Sequence, residues 1–374
     1  MVEWKTIEEL GSFFGGLTGK TKNDFVDGNA NFITYMNVFS NPSLNTSKVG
    51  TVKINEGEKQ NKIQKGDILF TGSSETPEET GMSCVVTDDL KEDFYMNSFC
   101  FGLRLYSSEQ YNLHFLKHVL RSESVRKSIT KTASGVTRFN ISKARFSKIK
   151  IPIPSLSEQQ RIVSILDTFT SSISNLKQQI EERRKQYEYE RDLLLDLEGK
   201  EGVEMKKLGD FAEIGTGSSN TQDELESGRY PFFVRSQIVR WKDDYEFDEI
   251  AIITSGDGVG VGKVLHYYEG KYALHQRAYR IHVENDSIVP KFIFYFMQKD
   301  FYWYIMSNAY AASVSSVRRP MLINYPIPIP PLSIQSRIVS ILDTFEQSIA
   351  NLEEQLAMRK KQYEYYRNQL LTFE

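Results

Sequence analysis

The sequence of 374 residues contains few of the features that cross-link a protein or anchor it in a membrane. Its two cysteines, Cys84 and Cys100, do not make a disulfide framework, so we expect free thiols in a reducing compartment. No run approaches the roughly 18 consecutive apolar residues of a membrane span. The acidic, polar start MVEWKTIEEL lacks the pattern of a secretory signal. We therefore expect a cytoplasmic protein that contacts no membrane.

Catalytic patterns are scarce as well. The five histidines have no Cys or carboxylate cluster at ligand spacing, so we expect no metal site. Two glycine-rich runs, 15–21 and 256–263, approach a phosphate-binding loop, but Phe14 and Asp257 stand where the first glycine is required. We interpret both runs as turns. The sequence also lacks an Asn/Asp-Pro-Pro-aromatic run that could hold a base for amino-methylation, so chemistry is expected in a partner.

An internal repeat dominates what is present. Residues 151–195 read IPIPSLSEQQRIVSILDTFTSSISNLKQQIEERRKQYEYERDLLL, and residues 327–371 read IPIPPLSIQSRIVSILDTFEQSIANLEEQLAMRKKQYEYYRNQLL. The two copies are identical at about 30 of 45 positions at a constant offset of 176. Each copy follows a block that resembles the other block only faintly. This pattern indicates one scaffold that presents two unlike surfaces.

Each repeat predicts a long helix with one narrow apolar seam. The seam of the first copy consists of Ile162, Leu166, Phe169, Ile173, Leu176, Ile180, Tyr187 and Leu194. The second copy has Ile338, Leu342, Phe345, Ile349, Leu352, Leu356, Tyr363 and Leu370. Arg183 and Arg359 interrupt the two series. A seam every 3.5 residues is typical of a coiled coil, and an isologous contact between two similar helices requires them to run antiparallel.

The helix starts are also marked. Pro152 and Pro154 cannot extend the first helix backwards, and Ser157 with Gln160 fits a capping box. The second copy has Ser333 but carries Ser336 in the Gln160 position, which predicts a simpler cap. The first helix is expected to end near the linker LEGKEG.

These boundaries divide the chain into four parts. We predict a first domain at 1–150, a central helical region at 151–203, a second domain at 204–326 and a distal helical region at 327–374. Both blocks alternate strand-like runs, FITYMNVF among them, with one late helical stretch. GDILFTGSS in the first faintly corresponds to DEIAIITSG in the second. The predicted fold class is therefore α+β, with two globular domains of the same fold joined by two long α-helices that form an antiparallel coiled coil.

Charge is unevenly distributed. The net charge of −3 does not by itself suggest a nucleic-acid partner. Residues 117–150, however, contain ten Lys and Arg residues against one acidic residue, Glu123. This basic run is either an ordinary solvated face or a surface that contacts phosphates.

Polar residues suited to reading base edges occur in the loops of both blocks. Arg and Lys can donate to guanine, Asn and Gln can pair with adenine, and Ser and Thr can contact several edges. The candidates in the first block are Lys20, Lys22, Tyr35, Asn37, Ser73, Ser74, Lys131, Thr137, Arg138 and Asn140. Those in the second block are Arg235, Ser236, Gln237, Ser255, His275, Gln276, Ser315, Ser316, Arg318 and Arg319.

The repeats also suggest protein partners. Identity between the copies extends to positions that core packing does not demand, so a partner that recognises one helix should also recognise the other. The candidate partner contacts are Arg161, Gln186, Tyr187 and Tyr189 in the first copy, and Arg337, Gln362, Tyr363 and Tyr365 in the second.

At this point the chain resembles the specificity subunit of Type I restriction–modification systems. The repeated opening I-P-x-P-x-L-S-x-Q-x-R-I-V at 151–163 and 327–339 is similar to that family's, as are WKT…L at 4–10, FITYMNV at 32–38 and GDILFTGSS at 66–74. The resemblance implies that each variable domain reads one half of a split double-stranded DNA target and that the helices hold the halves apart. It also implies two methyltransferase subunits that supply S-adenosylmethionine chemistry on adenine, with two motor-nuclease subunits as possible further partners.

Two other classes of function remain open from the sequence. One is a coiled-coil adaptor that joins two protein partners without binding DNA. A specificity subunit should show salt-dependent retention on duplex DNA, and an adaptor should show none. The other is a self-sufficient methyltransferase or nuclease, which methyl transfer by the purified chain alone would support.

Overall fold

The computed structural model describes residues 2–309 and 316–373. The chain forms two compact units. Unit 1 comprises Met1–Leu176 and Gln355–Glu374, and unit 2 comprises Lys177–Glu354. Each unit contains one variable block, part of the first long helix and part of the second. None of the described helices is long and apolar enough to cross a membrane.

The first half of the chain forms many short strands followed by one long helix. In order, the elements are β1 Glu3–Thr6, α1 Ile7–Leu10, β2 Gly11–Gly15, β3 Ala30–Ile33, α2 Tyr35–Ser40, β4 Gly50–Val52, β5 Ile68–Thr71, β6 Ser73–Ser74, β7 Ser83–Val85, β8 Phe94–Met96, β9 Cys100–Leu105, α3 Leu113–Val119, α4 Glu123–Thr130, β10 Ala133–Ser134, β11 Phe139–Ile141, α5 Lys143–Phe146, β12 Lys150–Ile153 and α6 Leu156–Leu194.

The run FITYMNVF is strand only at its start. Thr34 accepts a hydrogen bond from the backbone N–H of Asn37 and begins α2, which strand periodicity did not predict.

The second half repeats this plan with longer strands. Its elements are β13 Glu204–Lys207, β14 Ala212–Thr216, β15 Tyr230–Phe233, β16 Arg240–Lys242, β17 Phe247–Ser255, β18 Leu265–Leu274, β19 Ala278–Val283, α7 Pro290–Ala309, α8 Arg319–Ile323, β20 Pro326–Ile329 and α9 Leu332–Leu370.

The two units share one sheet topology. Unit 1 has a sheet in the order β2-β9-β5-β7 and a second in the order β4-β3-β8. Unit 2 has one sheet in the order β14-β19-β17-β18-β15-β16. The long β18 corresponds to both β7 and β8 of unit 1. Its last residues pair parallel with β15, as β8 pairs parallel with β3. The prediction of two α+β domains of the same fold is confirmed.

The repeated IPIP segment forms an edge strand in each unit. β12 pairs antiparallel with β1 and β20 with β13, each as an isolated two-stranded sheet. Since each strand has only one neighbour, prolines can occupy it without breaking a second ladder of hydrogen bonds. Ile151 and Ile327 are fully buried in the cores of their units. This strand leads directly into the long helix.

A buried glutamine fastens each long helix to its own domain. The amide nitrogen of Gln159 donates to the Pro154 carbonyl at 2.8 Å, and its oxygen accepts from the Asn112 N–H, at the start of α3, at 2.9 Å. Gln335 does the same in unit 2, donating to Pro330 at 2.8 Å and accepting from the Val289 N–H at 2.8 Å. Both side chains are essentially inaccessible to solvent. The repeated glutamine is therefore a joint between the strand, the domain helix and the long helix.

The predicted capping box does not form. α6 begins one residue earlier than Ser157, and the Ser155 hydroxyl accepts from the Glu158 N–H at 3.4 Å. The Gln160 amide oxygen accepts from the side chain of Asn112 instead of the helix start. The local pattern was misread because the glutamines serve tertiary contacts rather than caps.

Within each unit the two long-helix segments run antiparallel, as predicted. In unit 2, Arg184 pairs with Glu353 at 2.5 Å, whereas Tyr187, further along α6, packs on Phe345, which lies earlier in α9. The seam side chains of both helices are buried or half-buried between exposed neighbours.

The two arginines that interrupt the seam have a packing role. The Arg183 guanidinium lies 5.8 Å from the centre of the Phe345 ring in unit 2, and Arg359 lies 5.7 Å from the Phe169 ring in unit 1. A cation over an aromatic face stabilises the pair electrostatically while the arginine stem covers apolar surface. The interruptions thus belong to the seam.

A polar cluster joins the domain to both helices in unit 1. The two ring nitrogens of the buried His118 lie 2.8 Å from the Asp167 carboxylate and 3.0 Å from the Tyr363 hydroxyl. Lys117 pairs with Asp167 at 2.8 Å. Burial would raise the pKa of Asp167, but hydrogen bonds from His118 and Lys117 lower it to about 2. Burial also lowers the pKa of His118, against the opposing effect of its bond to Asp167. In unit 2 the equivalent place holds Tyr295, whose hydroxyl donates to Asp343 at 2.6 Å.

We predict that Gln159→Ala or Gln335→Ala destabilises the protein by about 1–3 kcal/mol, because each change leaves a buried carbonyl and a buried N–H without partners. The free energy of unfolding in urea measures the effect. Gln179→Ala, at an exposed position of α6, is the matched control and should change it by less than about 0.5 kcal/mol. Equal effects of the buried and exposed changes would contradict the joint.

We also predict a pH-dependent contribution from His118. Because its folded pKa lies below the unfolded value of about 6.5, the unfolded chain binds the extra proton first as pH falls. Its stabilisation is complete above about pH 6.5 and is lost below it, by at most about 1.4 kcal/mol per pH unit. The destabilisation caused by His118→Gln, measured by urea unfolding at pH 7, 6 and 5, should shrink towards pH 5. A constant difference would show that His118 does not titrate in this way.

Candidate nucleic-acid interface

In unit 1, several predicted residues line one cavity at the end of β5. The cavity has a volume of about 440 Å³. Its lining consists of Tyr35, Met36, Phe39, Ser73, Ser74, Glu75, Glu79, Phe99, Thr137 and Arg138. Five of these, namely Tyr35, Ser73, Ser74, Thr137 and Arg138, were candidates from the sequence. Asn140 lies beside them in β11, paired with Ser73.

Arg138 lines this cavity and is held there by two contacts. Its Nε donates to the Ser73 hydroxyl at 3.0 Å, and its guanidinium lies 5.2 Å from the centre of the exposed Phe99 ring. The Tyr35 hydroxyl donates to the Ser73 carbonyl at 2.8 Å. The arrangement offers a cation, hydroxyl groups and aromatic side chains, which can contact phosphates, base edges and base planes.

In unit 2, an ion-pair cluster gathers around Asp257. Arg235 Nη1 lies 2.6 Å from Oδ1 of this carboxylate, and Arg277 Nη1 lies 3.3 Å from Oδ2. Burial alone would raise the pKa of Asp257, but the hydrogen bond from Arg235 and the two positive charges lower it below the usual range. The carboxylate therefore stays ionised and orients both guanidinium groups.

His275 supports this cluster from beneath. It is 2% exposed, and its Nδ1 accepts from the backbone N–H of Arg277 at 3.0 Å. Burial lowers the pKa of His275, and the charges of Arg235 and Arg277 lower it further. The ring is a buried support for Arg277 rather than a group that can reach DNA.

The two sites occupy the same place in the shared fold. The Gly72 N–H donates to the carbonyl of Phe99 at 2.8 Å, and the Gly256 N–H donates to that of Arg277 at 2.9 Å. Since Gly72 and Gly256 are therefore equivalent, Ser73 matches Asp257 and Phe99 matches Arg277. The sequence correspondence between GDILFTGSS and DEIAIITSG was two residues out of register.

Two other candidates from the first block act within the fold. Lys20 pairs with Glu58 at 2.6 Å and donates to the Lys53 carbonyl. Asn37 is buried and donates to two backbone carbonyls. These two side chains are corrected to structural roles. Lys22 and Lys131 are exposed but do not line the cavity.

The remaining candidates of the second block are spread around the cluster. Ser316 forms a β-bridge with Asp257, and the buried Ser255 hydroxyl donates to the Asp257 carbonyl at 2.7 Å. Gln276 is exposed next to Arg277, while Ser236 and Gln237 follow Arg235. Arg318 and Arg319 are exposed at the start of α8. Ser315 lies outside the described residues.

The basic run at 117–150 is not one surface. Arg121 and Arg126 are largely buried and donate to backbone carbonyls, among them those of Ser83 and Gly81. Burial lowers the pKa of both arginines to about 10. The charge excess along the sequence therefore overstates the exposed charge.

The partner candidates divide in a similar way. Gln186, Tyr189, Gln362 and Tyr365 are exposed, and so are Arg161 and Arg337. Tyr187 and Tyr363 instead turn inwards, where their hydroxyls contact Gln298 at 3.0 Å and His118 at 3.0 Å. These contacts within each unit explain why the two tyrosines are identical in the two repeats. We therefore remove both residues from the proposed partner contacts.

Sequence reasoning missed Asp257 and Arg277 in unit 2, and Phe99 with its apolar neighbours in unit 1. The correct register between the blocks would have placed Asp257 opposite Ser73. The described residues contain no group of three or more His, Cys, Asp or Glu placed to hold a metal ion. Burial raises the pKa of the Cys84 and Cys100 thiols to about 12, which keeps them protonated and unreactive.

Comparison with known proteins bears on most of the chain. The family model of the Type I restriction modification DNA specificity domain matches residues 1–183 and again 200–358. The EcoR124I/EcoR124II specificity subunit of Escherichia coli is 29% identical over 62% of this chain, and the match spans 65% of that protein. A putative Type I restriction enzyme specificity subunit from Haemophilus influenzae is 30% identical over 71% of this chain and 73% of its own length.

Solved structures show the same fold. The S subunit of a Type I restriction–modification system from M. genitalium superposes with a TM-score of 0.63 at 16% identity, covering 100% of this chain and 97% of that one. A chain from a study of complex assembly and conformational transition in a type I R-M system gives a TM-score of 0.62 at 18% identity, covering 99% and 97%. With a doubled family match and two units of one fold, the chain belongs to the Type I restriction–modification DNA specificity family, a family of specificity subunits rather than catalytic ones.

Proposed function

We propose that this chain reads a bipartite DNA target and directs adenine methylation and restriction by partner subunits. The observation that carries the proposal is the pair of equivalent sites, one per unit, with chemically different side chains on one backbone plan. A protein that reads two different half-sites needs this combination. The fold fixes where each site lies, and the loop side chains decide what it contacts.

The unit 1 site has the chemistry of a nucleic-acid contact. Arg138 can donate to a phosphate or to a guanine edge with the donors that Ser73 leaves unused. Tyr35 and Phe99 offer aromatic faces, and the exposed Lys131 adds charge nearby in the sequence. In unit 2, the residues Arg235, Asp257 and Arg277 occupy the positions that correspond to Tyr35, Ser73 and Phe99.

The exposed, repeated positions on the helices support binding of two like partners. Arg161 and Arg337 occupy equivalent exposed positions near the starts of α6 and α9, and the exposed tyrosines Tyr189 and Tyr365 are equivalent near the ends. We propose that two methyltransferase subunits dock on these faces. S-adenosylmethionine would be bound by those subunits and not by this chain, and two motor-nuclease subunits would join the assembly for cleavage.

We predict that Arg138→Ala and Lys131→Ala each weaken binding to duplex DNA, because each removes a cation that releases counterions from the phosphate backbone. The slope of log affinity against log salt concentration should fall by about one unit for each lost phosphate contact. Fluorescence anisotropy over a salt series measures both quantities.

The matched control is Lys65→Ala. Lys65 precedes β5 at the end away from the cavity and pairs with Asp89 at 2.8 Å on the surface. The Lys65→Ala variant should leave both the affinity for duplex DNA and the slope of the salt dependence unchanged. Unchanged affinity of the Arg138 and Lys131 variants at low salt would reject their assignment. Absence of any salt-dependent retention of the full chain on duplex DNA would favour a protein adaptor.

We also predict that the chain binds two copies of the methyltransferase subunit, because the partner faces are repeated. Native mass spectrometry should give a stoichiometry of two for the unmodified chain. Arg161→Glu or Arg337→Glu should reduce it towards one, since either change reverses charge on one face only. Gln179→Glu, at an exposed position in the middle of α6, is the control and should retain two. A single bound partner on the unmodified chain would contradict the repeated docking faces.

A further inference from the structure

We propose that the Arg235–Asp257–Arg277 cluster of unit 2 reads a guanine, with one of its guanidinium groups donating to both O6 and N7 in the major groove. This inference rests on the proposed function, in which unit 2 contacts one half of the DNA target. It adds the identity of a base in that half-site and the residues that select it.

The first step is the number of donors that remain free for DNA. Each arginine contacts Asp257 through Nη1 alone, at 2.6 Å for Arg235 and 3.3 Å for Arg277. The Nε and Nη2 donors of both residues therefore lie outside the ion pair with Asp257. The side chains are 39% and 61% exposed.

The second step is that the cluster is held in place before DNA arrives. Asp257 follows the buried strand β17, its backbone bridges Ser316, and its carbonyl accepts from the Ser255 hydroxyl. The buried His275 ring accepts from the Arg277 N–H. A side chain that is already oriented loses less conformational freedom on binding.

The third step is complementarity. Guanine is the one base that presents two adjacent acceptors, O6 and N7, in the major groove, whereas adenine and cytosine present a donor there and thymine presents a methyl group. A guanidinium fork offers two parallel donors, which match only that edge. The two arginines also disfavour bases whose edge lacks acceptors, because the approach of such a base would leave charged guanidinium donors unpaired.

The equivalent positions of unit 1 lack this cluster. There Tyr35, two residues after β3, stands in place of Arg235, two residues after β15, and Ser73 and Phe99 stand in place of Asp257 and Arg277. Among the described residues that line the site, the guanidinium comes from Arg138, in a different loop. Variants of the unit 2 cluster should therefore alter base preference in one half-site and leave the other unchanged.

The test begins with the full chain assembled with the methyltransferase subunits of its source and selected against a pool of randomised duplex DNA. The bound sequences should contain two separated half-sites, one of them with a fixed guanine. Replacing that guanine by adenine should weaken binding about 5- to 150-fold. Replacement by 7-deazaguanine, which lacks the N7 acceptor, should also weaken binding. Replacement by inosine, which lacks only the minor-groove amino group, should not.

The protein side of the test uses charge-conserving variants. Arg235→Lys and Arg277→Lys, combined in one chain, keep the positive charge but remove the fork, so binding should persist while the guanine preference in that half-site is weakened. Asp257→Asn should reduce the preference by releasing both guanidiniums. Arg229→Lys is the matched control. Arg229 forms an exposed ion pair with Asp243 before β15, at the end of the strand away from the cluster, and the preference should be unchanged.

Several outcomes would overturn the inference. A guanine preference that is undiminished in the double lysine variant would do so. Binding that is weakened by inosine but not by 7-deazaguanine would also do so. An equal loss of affinity for every sequence would assign the arginines to phosphates instead. The selected target could instead have two half-sites, one that depends on Arg138 and a second that lacks a guanine. That result would reject this inference alone. A selection without any sequence preference would instead reject the proposed function.

Discussion

The joint at the start of each long helix is the constraint on which the rest of each unit depends. An edge strand of sequence IPIP, a buried glutamine and the first turns of the helix are tied together by hydrogen bonds of 2.8–2.9 Å from Gln159 and 2.8 Å from Gln335. A buried amide with both of its polar atoms satisfied fixes the direction of the helix relative to its domain, because any other direction would leave polar atoms unpaired. The repeated residues of the sequence are largely those that build this joint and the seam beyond it.

Holding the frame constant allows the surface to vary. The backbone hydrogen bonds of Gly72 and Gly256 place the following residue at the same point in both units, yet one unit has Ser73 there and the other Asp257. Around Ser73 the neighbours are aromatic and leave a cavity, whereas around Asp257 they are arginines that close on the carboxylate. One fold thus presents two chemically distinct sites, which suits the recognition of two unlike half-sites.

The sequence predicted the elements that follow from local periodicity. The seam from Ile162 to Leu194, the antiparallel pairing of the helix segments and the shared α+β fold follow from spacing and from repetition, both of which can be read along the chain. Features that depend on distant partners were missed or misread. Ser157 and Gln160 look like a cap only if the tertiary contacts of the adjacent Gln159 are unknown. Arg121 and Arg126 look like surface charge until carbonyls from other loops enclose them.

The candidate sites show the same limit. Tyr35, Ser73 and Arg138 were selected by residue type, and the fold brings them together from three separate segments. Asp257 and Arg277 lie 20 residues apart and belong to no local pattern. Only the sheet register places them side by side.

The central claim, that the two units together specify a split DNA target, is tested most directly by mapping methylated adenines across a genome in cells that express the methyltransferase subunits with and without this chain. The account predicts that methylation appears only with the chain, at two fixed half-sites separated by an unspecified spacer. Methylation that is unchanged without the chain, or that follows one uninterrupted motif, would contradict it.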